Sequence, residues 1–381
     1  MPRAPRKRRP TSRAKLKGGV CRSPRGRYEG GMRSLLVVFP LVLLAVTGLV
    51  LWMSRGIQTP EITEPSVIRL PGVTTSSAAP SLPLTVVSWN VSWGYGWGSE
   101  GAGGAKPEAH FERTIARMGE VLKSLDADIV LLQELDFDST RSHHVDQAER
   151  LAQLAGLPYV TKALSWDKRW VPFPYWPPSA HFGTVRSGGA ILSRFPLGAT
   201  RVETVEKPSD QAFLYRLFYL FRYHQEATAD TPWGEVSILN THVDAFHREN
   251  RVAHARKIAA RLNETLTPLA IVGGDLNTVP AEAERRSAYP DEPKTSHVDD
   301  PTLELLRGVP GLVDAVPGPV YAADEAKFFT FPAHEPNRML DHLLVGAGWK
   351  VERAWVPREL SEEALSDHLP LVLRLVPVGT P

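Results

Sequence analysis

Six polar insertions at the ends of six apolar, strand-like runs carry the chemistry this chain could do. Four follow their run: LTVVSWN ends on Asn90, ADIVLLQE on Glu134, VSILNTH on His242, and LAIVGGDLN on Asp275 and Asn277. Two precede it: Asp341 opens DHLLV, and Asp367 and His368 open DHLPLVLRL. Apolar runs of this length, bounded by turn signals, read as buried strands. A carboxylate at the mouth of such a strand sits at the rim of a core, where a ligand can reach it. Asp275 and Asn277 are two apart, so on an extended strand end they point to one face. The carboxylate can orient or deprotonate a water, and the amide can hold the same water or a substrate oxygen without adding charge. Asp367 and His368 put an acid beside an imidazole.

If all six rims lie on one edge, the last two strands run opposite to the first four. That predicts a mixed-sheet α/β protein with one acidic, histidine-containing cleft. Helices are signalled between the strands. Phe111, Ile115, Met118, Leu122 and Leu125 recur at helical steps over 108–125, and Val252, Ala255, Ile258, Ala259 and Leu262 do so over 247–263. A shorter helix is expected at 301–307. Residues 165–183 (SWDKRWVPFPYWPPSAHFG) set aromatics among prolines, so they read as an irregular loop, a cleft wall or a lipid-touching loop. The string FLYRLFYLFRYH (213–224) reads as a strand or hairpin with one buried face.

The chain has 381 residues, 43% hydrophobic and 23% charged, which suits one large or two medium globular domains. Its net charge of +2 hides an asymmetry. Residues 1–33 carry 12 basic residues and one acid, Glu29, against 32 basic and 41 acidic residues in the remainder. The only cysteine is Cys21, in the basic tail. A disulfide framework, a zinc–thiolate site and a cysteine nucleophile in the body are therefore excluded. Any metal in the body is held by oxygen and nitrogen donors, which suit magnesium, calcium or manganese.

Residues 35–53 (LLVVFPLVLLAVTGLVLWM) carry no charge. A helix of this length spans roughly 30 Å, the thickness of a bilayer core. A transmembrane helix over 35–53 is expected, with a cleaved signal peptide as the rival reading. The basic residues precede it, which puts a tail over 1–34 in the cytoplasm, beside anionic lipids, and the body outside. The expected protein is thus a single-pass cell-membrane protein with an extracytoplasmic domain. Residues 54–83, rich in Pro, Ser and Thr, read as a linker, and 84–377 as one domain. No protein partner is signalled.

The order of Asn90, LLQEL with Glu134, GGAILSRFPL (188–197), NTHVDA (240–245), GGDLN (273–277), FTFPAHEPNRMLDHLLV (329–345) and LSDHLPL (365–371) resembles the endonuclease/exonuclease/phosphatase superfamily over residues 84–376. The resemblance implies a four-layer α/β sandwich of two mixed β-sheets with outer helices. It also implies magnesium-dependent hydrolysis of a phosphate ester, with manganese as the alternative ion. It makes Glu134 the principal metal ligand, with Asn90 beside it and Asp367 near the same metal. Asp275 and Asn277 match the pair that positions the attacking water. His368 matches the histidine beside the scissile phosphate, Asp341 the aspartate that orients it, and His242 a second histidine near the leaving oxygen. One departure is Ser187-Gly188-Gly189, where Gly-Asn is common before AILSR; it bears on loop shape. His342, where an aromatic is common, reads as a satisfied rim histidine. His143 and His144 read as solvent-facing, and His181 as a substrate contact at most.

The resemblance leaves three classes of substrate or partner. One is a phosphodiester on a phospholipid or glycolipid head group, favoured by the apolar helix and the aromatic-proline loop. The second is nucleic acid, which wants a basic groove. The body is acidic overall, though Lys168, Arg169, Arg186 and Arg194 could form a local patch. The third is a degenerate domain used only for binding.

Overall fold

The computed structural model describes residues 28–73, 83–97 and 105–379, with side chains from Val37 onward. The basic tail through residue 27 and the linker segment 74–82 lie outside the described residues. The chain forms two compact units, Met1–Leu51 and Trp52–Pro381. The first holds all but the end of helix α1 (Tyr28–Met53), whose Phe39 and Leu44 side chains are exposed. The membrane span expected over 35–53 is not met as a span. Among the described residues no helix is long and apolar enough to cross a membrane. The segment 35–53 is nevertheless helical throughout, as part of α1.

In chain order the strands of the second unit are β1 (Ile62–Thr63), β2 (Ile68–Arg69), β3 (Leu84–Asn90), β4 (Ile129–Asp136), β5 (Tyr159–Val171), β6 (Gly183–Ser193) and β7 (Leu197–Val205). They continue with β8 (Arg222–Thr231), β9 (Gly234–His242), β10 (Ala270–Asp275), β11 (Leu312–Asp314), β12 (Asp341–Gly346), β13 (Trp349–Trp355) and β14 (Leu371–Pro377). The helices are α2 (Glu108–Ser124), α3 (Gln147–Ala155), α4 (Phe213–Phe218), α5 (Arg248–Thr265), α6 (Thr302–Arg307) and α7 (Gly318–Ala323). One sheet runs β1-β7-β8-β9-β10-β12-β11 and the other β13-β14-β3-β4-β6-β5-β2.

The apolar runs are continuous because their strands are covered on both faces. On β10, Ala270 and Val272 pack with Ile258, Leu262, Leu303 and Leu306 of α5 and α6. Ile271, between them, turns the other way, into a core shared by the two sheets with Val86, Leu131 and Leu373. On β12, Leu344 joins the helix side while Leu343 and Val345 join the shared core. Ile115, Met118, Leu122 and Leu151 of α2 and α3 cover the second sheet. The result is the expected α/β sandwich of two mixed sheets with helices outside. Each fully buried Leu or Ile in it contributes about 1.5–3 kcal/mol relative to exposure. A polar bridge ties the sheets below the rim: Gln133 Nε2 donates to Asn240 Oδ1 at 2.8 Å, and Asn240 Nδ2 donates to Leu132 O at 3.0 Å.

Strand directions follow the rim argument. β3 and β4 are parallel, as are β9 and β10, whereas β12 is antiparallel to β10 and β14 to β3. Three expectations are corrected. Residues 54–73 are not a free linker: β1 pairs with β7 and β2 with β5, and Leu70 is buried, because open sheet edges offer unpaired backbone groups that an extended segment can satisfy. Residues 213–218 form helix α4, not a strand, and β8 begins only at Arg222. Residues 165–171 continue β5, so the irregular loop starts after Val171.

Candidate functional site

β10 sets the level of the site. Its last residue, Asp275, pairs with His242 on β9 and with Asp341 on β12, so three chemical groups leave adjacent strands side by side. The Gly-Gly turn signal before it has a steric cause. At Gly274, with φ of 137°, a Cβ would lie 1.9 Å from Thr241 O, so only glycine lets β9 come this close.

Asp275 is buried and oriented from two sides. Asn90 Nδ2 donates to its Oδ2 at 3.0 Å, and the backbone N–H of Asn277 donates to its Oδ1 at 2.9 Å. Asn90 is fixed in turn, since its Oδ1 accepts from the Ser92 N–H at 3.0 Å. Asn277 Nδ2 donates to Val243 O at 3.2 Å. Burial, reinforced by Asp341 and opposed by His368, pushes the Asp275 carboxyl up to about 6.

His368 is held by a carboxylate and an aromatic wall. Its Nδ1 lies 2.8 Å from Asp341 Oδ2, and the Phe331 ring stands 4.7 Å from the imidazole. Trp89 Nε1 donates to the His368 carbonyl at 3.0 Å, fixing its backbone. The other ring nitrogen, Nε2, is 3.7 Å from Asp275 Oδ2. Burial works against a charged imidazole here, but Asp341, Asp275 and Asp367 outweigh it and raise the group to about 10. His368 is therefore an imidazolium with Nε2–H turned into the cleft.

Glu134 owes its direction to a bulge. Between Leu132, opposite Ala190, and Leu135, opposite Gly188, two residues of β4 face one of β6, and Glu134 takes a φ of 57°. The bulge breaks the alternation, sending Gln133 to Asn240 and Glu134 toward the cleft. Its Oε1 is 3.9 Å from His242 Nε2. Burial, then the charge of Asp367, pushes Glu134 up to about 8. Crowded carboxylates of this kind are what a hard divalent cation relieves.

Two places compete for such a cation. Asp275, Asp341 and His368 offer one donor atom each within 4.8 Å of one another. That trio fits poorly, because an imidazole kept protonated by its aspartate has no lone pair to give. Glu134 and Asp367, with Asn90 beside them, are oxygen donors of the kind magnesium or manganese takes. Their mutual repulsion has a cation as its natural remedy.

The structure thus brings all eight sequence-predicted residues into one cleft. It also adds one that sequence reasoning missed. Arg222, the first residue of β8, is buried with its Nη1 2.6 Å from His242 Nε2. The guanidinium can only donate, so His242 Nε2 accepts and its proton sits on Nδ1. Burial, then Arg222 and His368, holds His242 well below the ordinary range, so it is neutral. Arg222 stands in an aromatic string with no polar neighbour pattern. The same string also carries Arg216 and His224, so no sequence signal singled Arg222 out. Glu134 and Arg222 line a small, half-open pocket together with Trp93 and Trp166. The Arg141 guanidinium packs 4.4 Å from the Trp93 ring and 5.0 Å from Trp166, and pairs with Asp136 at 2.9 Å, so this wall is fixed.

The other histidines resolve simply. His342 Nε2 meets Thr278 O at 2.8 Å, and His143 and His144 are exposed. His181 accepts from Trp170 Nε1 at 3.0 Å. Gly189, the departure before AILSR, makes room for Tyr223: a Cβ there would lie 1.7 Å from its hydroxyl. Of the basic patch weighed for nucleic acid, Arg169 and Arg186 are exposed, but the other two cations are spent on internal partners. Lys168 is buried on the carbonyls of Ser54 and Ile57, and Arg194, beyond the far end of β6, pairs with Asp126 and Asp128.

The profile of the endonuclease/exonuclease/phosphatase family matches residues 87–368. No curated protein matches the chain. Among solved structures, it is similar to the endonuclease/exonuclease/phosphatase from Beutenbergia cavernae DSM 12333, at 20% identity and a TM-score of 0.56, over 79% of this chain and 73% of that one. It is also similar to an endonuclease/exonuclease/phosphatase family protein from Leptotrichia buccalis C-1013-b, at 16% identity and a TM-score of 0.50, over 77% and 99% of the two chains. A mannosyl-6-phosphatase from Bacteroides thetaiotaomicron VPI-5482 follows at 19% identity and a TM-score of 0.49, over 77% and 99%. At these identities the likeness is one of fold.

Proposed function

The chain belongs to the endonuclease/exonuclease/phosphatase family, and on that premise we propose that it is a divalent-metal-dependent phosphodiesterase that uses water as nucleophile. The observation that carries the reading is the His368–Asp341 pair at 2.8 Å, with Nε2 of His368 facing Asp275. An imidazolium donor and an oriented carboxylate side by side in the cleft suit a phosphoryl group that meets the one while its attacking water meets the other.

Asp275, held by Asn90 and the Asn277 N–H, orients the water and takes its proton as the oxygen attacks phosphorus. His368 donates from Nε2 to a non-bridging oxygen and stabilises charge as the bond to the leaving oxygen breaks. Arg222, whose hydrogen bond keeps His242 neutral, puts a fixed positive charge on the His242 side of the cleft. Glu134 and Asp367, with Asn90, would hold magnesium, or manganese in its place; when bound, the ion neutralises charge on the phosphoryl oxygens. The test uses the full chain in detergent with magnesium and three substrates: a chromogenic bis-phosphodiester, plasmid DNA, and sphingomyelin or mixed-phospholipid vesicles. Turnover of a diester that disappears in Asp275→Asn supports the reading. Wild-type turnover in that variant, with the fold intact, sinks the role given to Asp275.

We further infer a lipid head group as substrate and membrane attachment through α1, with the N-terminus cytoplasmic and the catalytic domain outside. The exposed apolar side chains of α1 and the 12 basic residues within 1–33 support this. Lys168 and Arg194, spent on internal partners, weaken the nucleic-acid alternative. A binding-only role is weakened by the complete set of catalytic groups. Membrane fractionation with protease protection tests the topology: a mature form soluble without detergent overturns it. DNA nicking lost in Glu134→Ala would replace the lipid by nucleic acid.

A further inference from the structure

Six of the large apolar side chains exposed on the second unit gather on two segments tied to the same strand; Phe246, 74% exposed, lies on neither. Phe173, Tyr175 and Trp176 follow the end of β5, and Phe213, Leu214 and Tyr215 lie on α4. Trp176 is 80% and Phe213 73% exposed. The segment after α4 is fastened to β5: Trp166 Nε1 donates to Phe218 O at 2.8 Å, and the Phe221 N–H to Ser165 O at 3.0 Å. Tyr215 stands near enough to Tyr175 to feel it, since burial, then Tyr219 and Tyr175, push its phenol up to about 12.

Neither segment is free to fold its rings inward. Lys207 Nζ, buried, donates to Arg216 O at 2.8 Å and Tyr219 O at 2.5 Å, clamping the end of α4. The loop after β5 is closed by the Phe182 N–H on Phe173 O at 2.7 Å. The exposed rings are therefore held out. The strand and the segment that carry them border the site: Trp166, Leu220 and Phe221 line the pocket shared with Glu134, Arg222 and His242.

The chain itself says what covers this lip. It enters the second unit at Trp52, directly from the apolar helix, and the Trp52 ring lies 5.9 Å from the Arg169 guanidinium. Arg169 sits on β5 two residues before its end, so the second unit begins, at Trp52, beside the strand that feeds the lip. Tryptophan, tyrosine and phenylalanine beside arginine are the side chains that settle in a head-group layer. We propose that the aromatic lip of residues 173–176 and 213–215 is a bilayer-docking surface, which turns the phosphodiesterase cleft toward an ester presented by a lipid surface. The proposal rests on the phosphodiesterase reading only for what the cleft then does.

The test uses the full chain, since its single cysteine permits site-specific labelling. In a Cys21→Ser background, Trp176→Cys, Phe213→Cys and Glu352→Cys carry an environment-sensitive fluorophore. Glu352 lies on β13, at the other edge of the sheet from β5. Each protein is mixed with phosphatidylcholine–phosphatidylglycerol vesicles with or without brominated acyl chains. The expected result is that the label at 176 and at 213 loses more than half its emission to bromine while the label at 352 keeps it. Equal emission at all three sites, or failure of the chain to float with vesicles, overturns the proposal. A Trp176→Ser/Phe213→Ser variant then separates docking from chemistry. Soluble diester turnover stays at the wild-type level while turnover of a vesicle-borne diester falls several-fold. If the wild type hydrolyses no diester at all but the quenching pattern holds, the phosphodiesterase reading fails and the docking surface stands.

Discussion

The cleft and the lip invert the ordinary rule of burial in opposite senses. In the cleft, Glu134, Asp275, Asp341, Arg222 and His368 are charged or chargeable groups drawn out of bulk water. At the lip, a few residues away, Trp176 and Phe213 are large apolar groups left in it. Both arrangements cost stability, and both are enforced by neighbours. Asn90, Trp89 and Phe331 do so for the cleft, Lys207 and the closed loop after β5 for the lip. A fold that spends stability twice in adjacent places has a function at each. The cleft stores electrostatic orientation, and the lip stores exposed surface. Breaking one should leave the other intact.

The largest effect is expected for Asp275→Asn, which keeps the shape and removes the base: turnover falls by about a thousandfold, with thermal unfolding unchanged by calorimetry. Chelation with EDTA abolishes turnover to the same floor, and added magnesium restores it. Glu134→Ala raises the magnesium concentration needed for half-maximal rate, read by titration. Arg222→Met lowers turnover by about a hundredfold; because it also removes a positive neighbour, the His242 imidazole titrates nearer its ordinary range, which NMR can follow. Asp341→Asn costs less at neutral pH but reshapes the pH profile. The acid form of His368 is present below about 10 and lost above it. Without the Asp341 charge the alkaline limb moves to lower pH, and an unmoved limb would deny Asp341 its orienting role.

The smallest effect belongs to the lip's support. Burial, then Lys168 and Arg216, lowers Lys207 from 10.5 to about 7. The unfolded chain therefore binds more protons than the folded one between those values, so stability rises with pH across that window, by up to about 1.4 kcal/mol per unit. Lys207→Met flattens that slope, read by denaturant unfolding at pH 7 and 10, and leaves soluble diester turnover unchanged.

The rims were legible because each buried strand is an uninterrupted apolar run, and a polar group that ends such a run has few places to go. Direction followed from the same fact, since groups before and after their strands must meet at one edge. Glu134 was legible as a rim residue but not in its aim, which comes from a bulge that regular alternation cannot show. Arg222 escaped because its segment looked uniformly aromatic, and a six-residue helix such as α4 is too short for a period to emerge. Lys168 and Arg194 misled for the opposite reason: a sequence counts cations without saying which are already spent on carbonyls and aspartates.

The two short strands before Arg69 bear on how this protein survives outside its native setting. β1 lies on the outer edge of one sheet and β2 on the outer edge of the other, so a single stretch of chain seals two open flanks. A fragment starting at residue 84 would expose the backbone of β5 and β7 as templates for pairing with a second molecule. Such a piece would keep every catalytic group and still be lost to aggregates during purification. A shortened protein should begin before Ser54, where the strap starts.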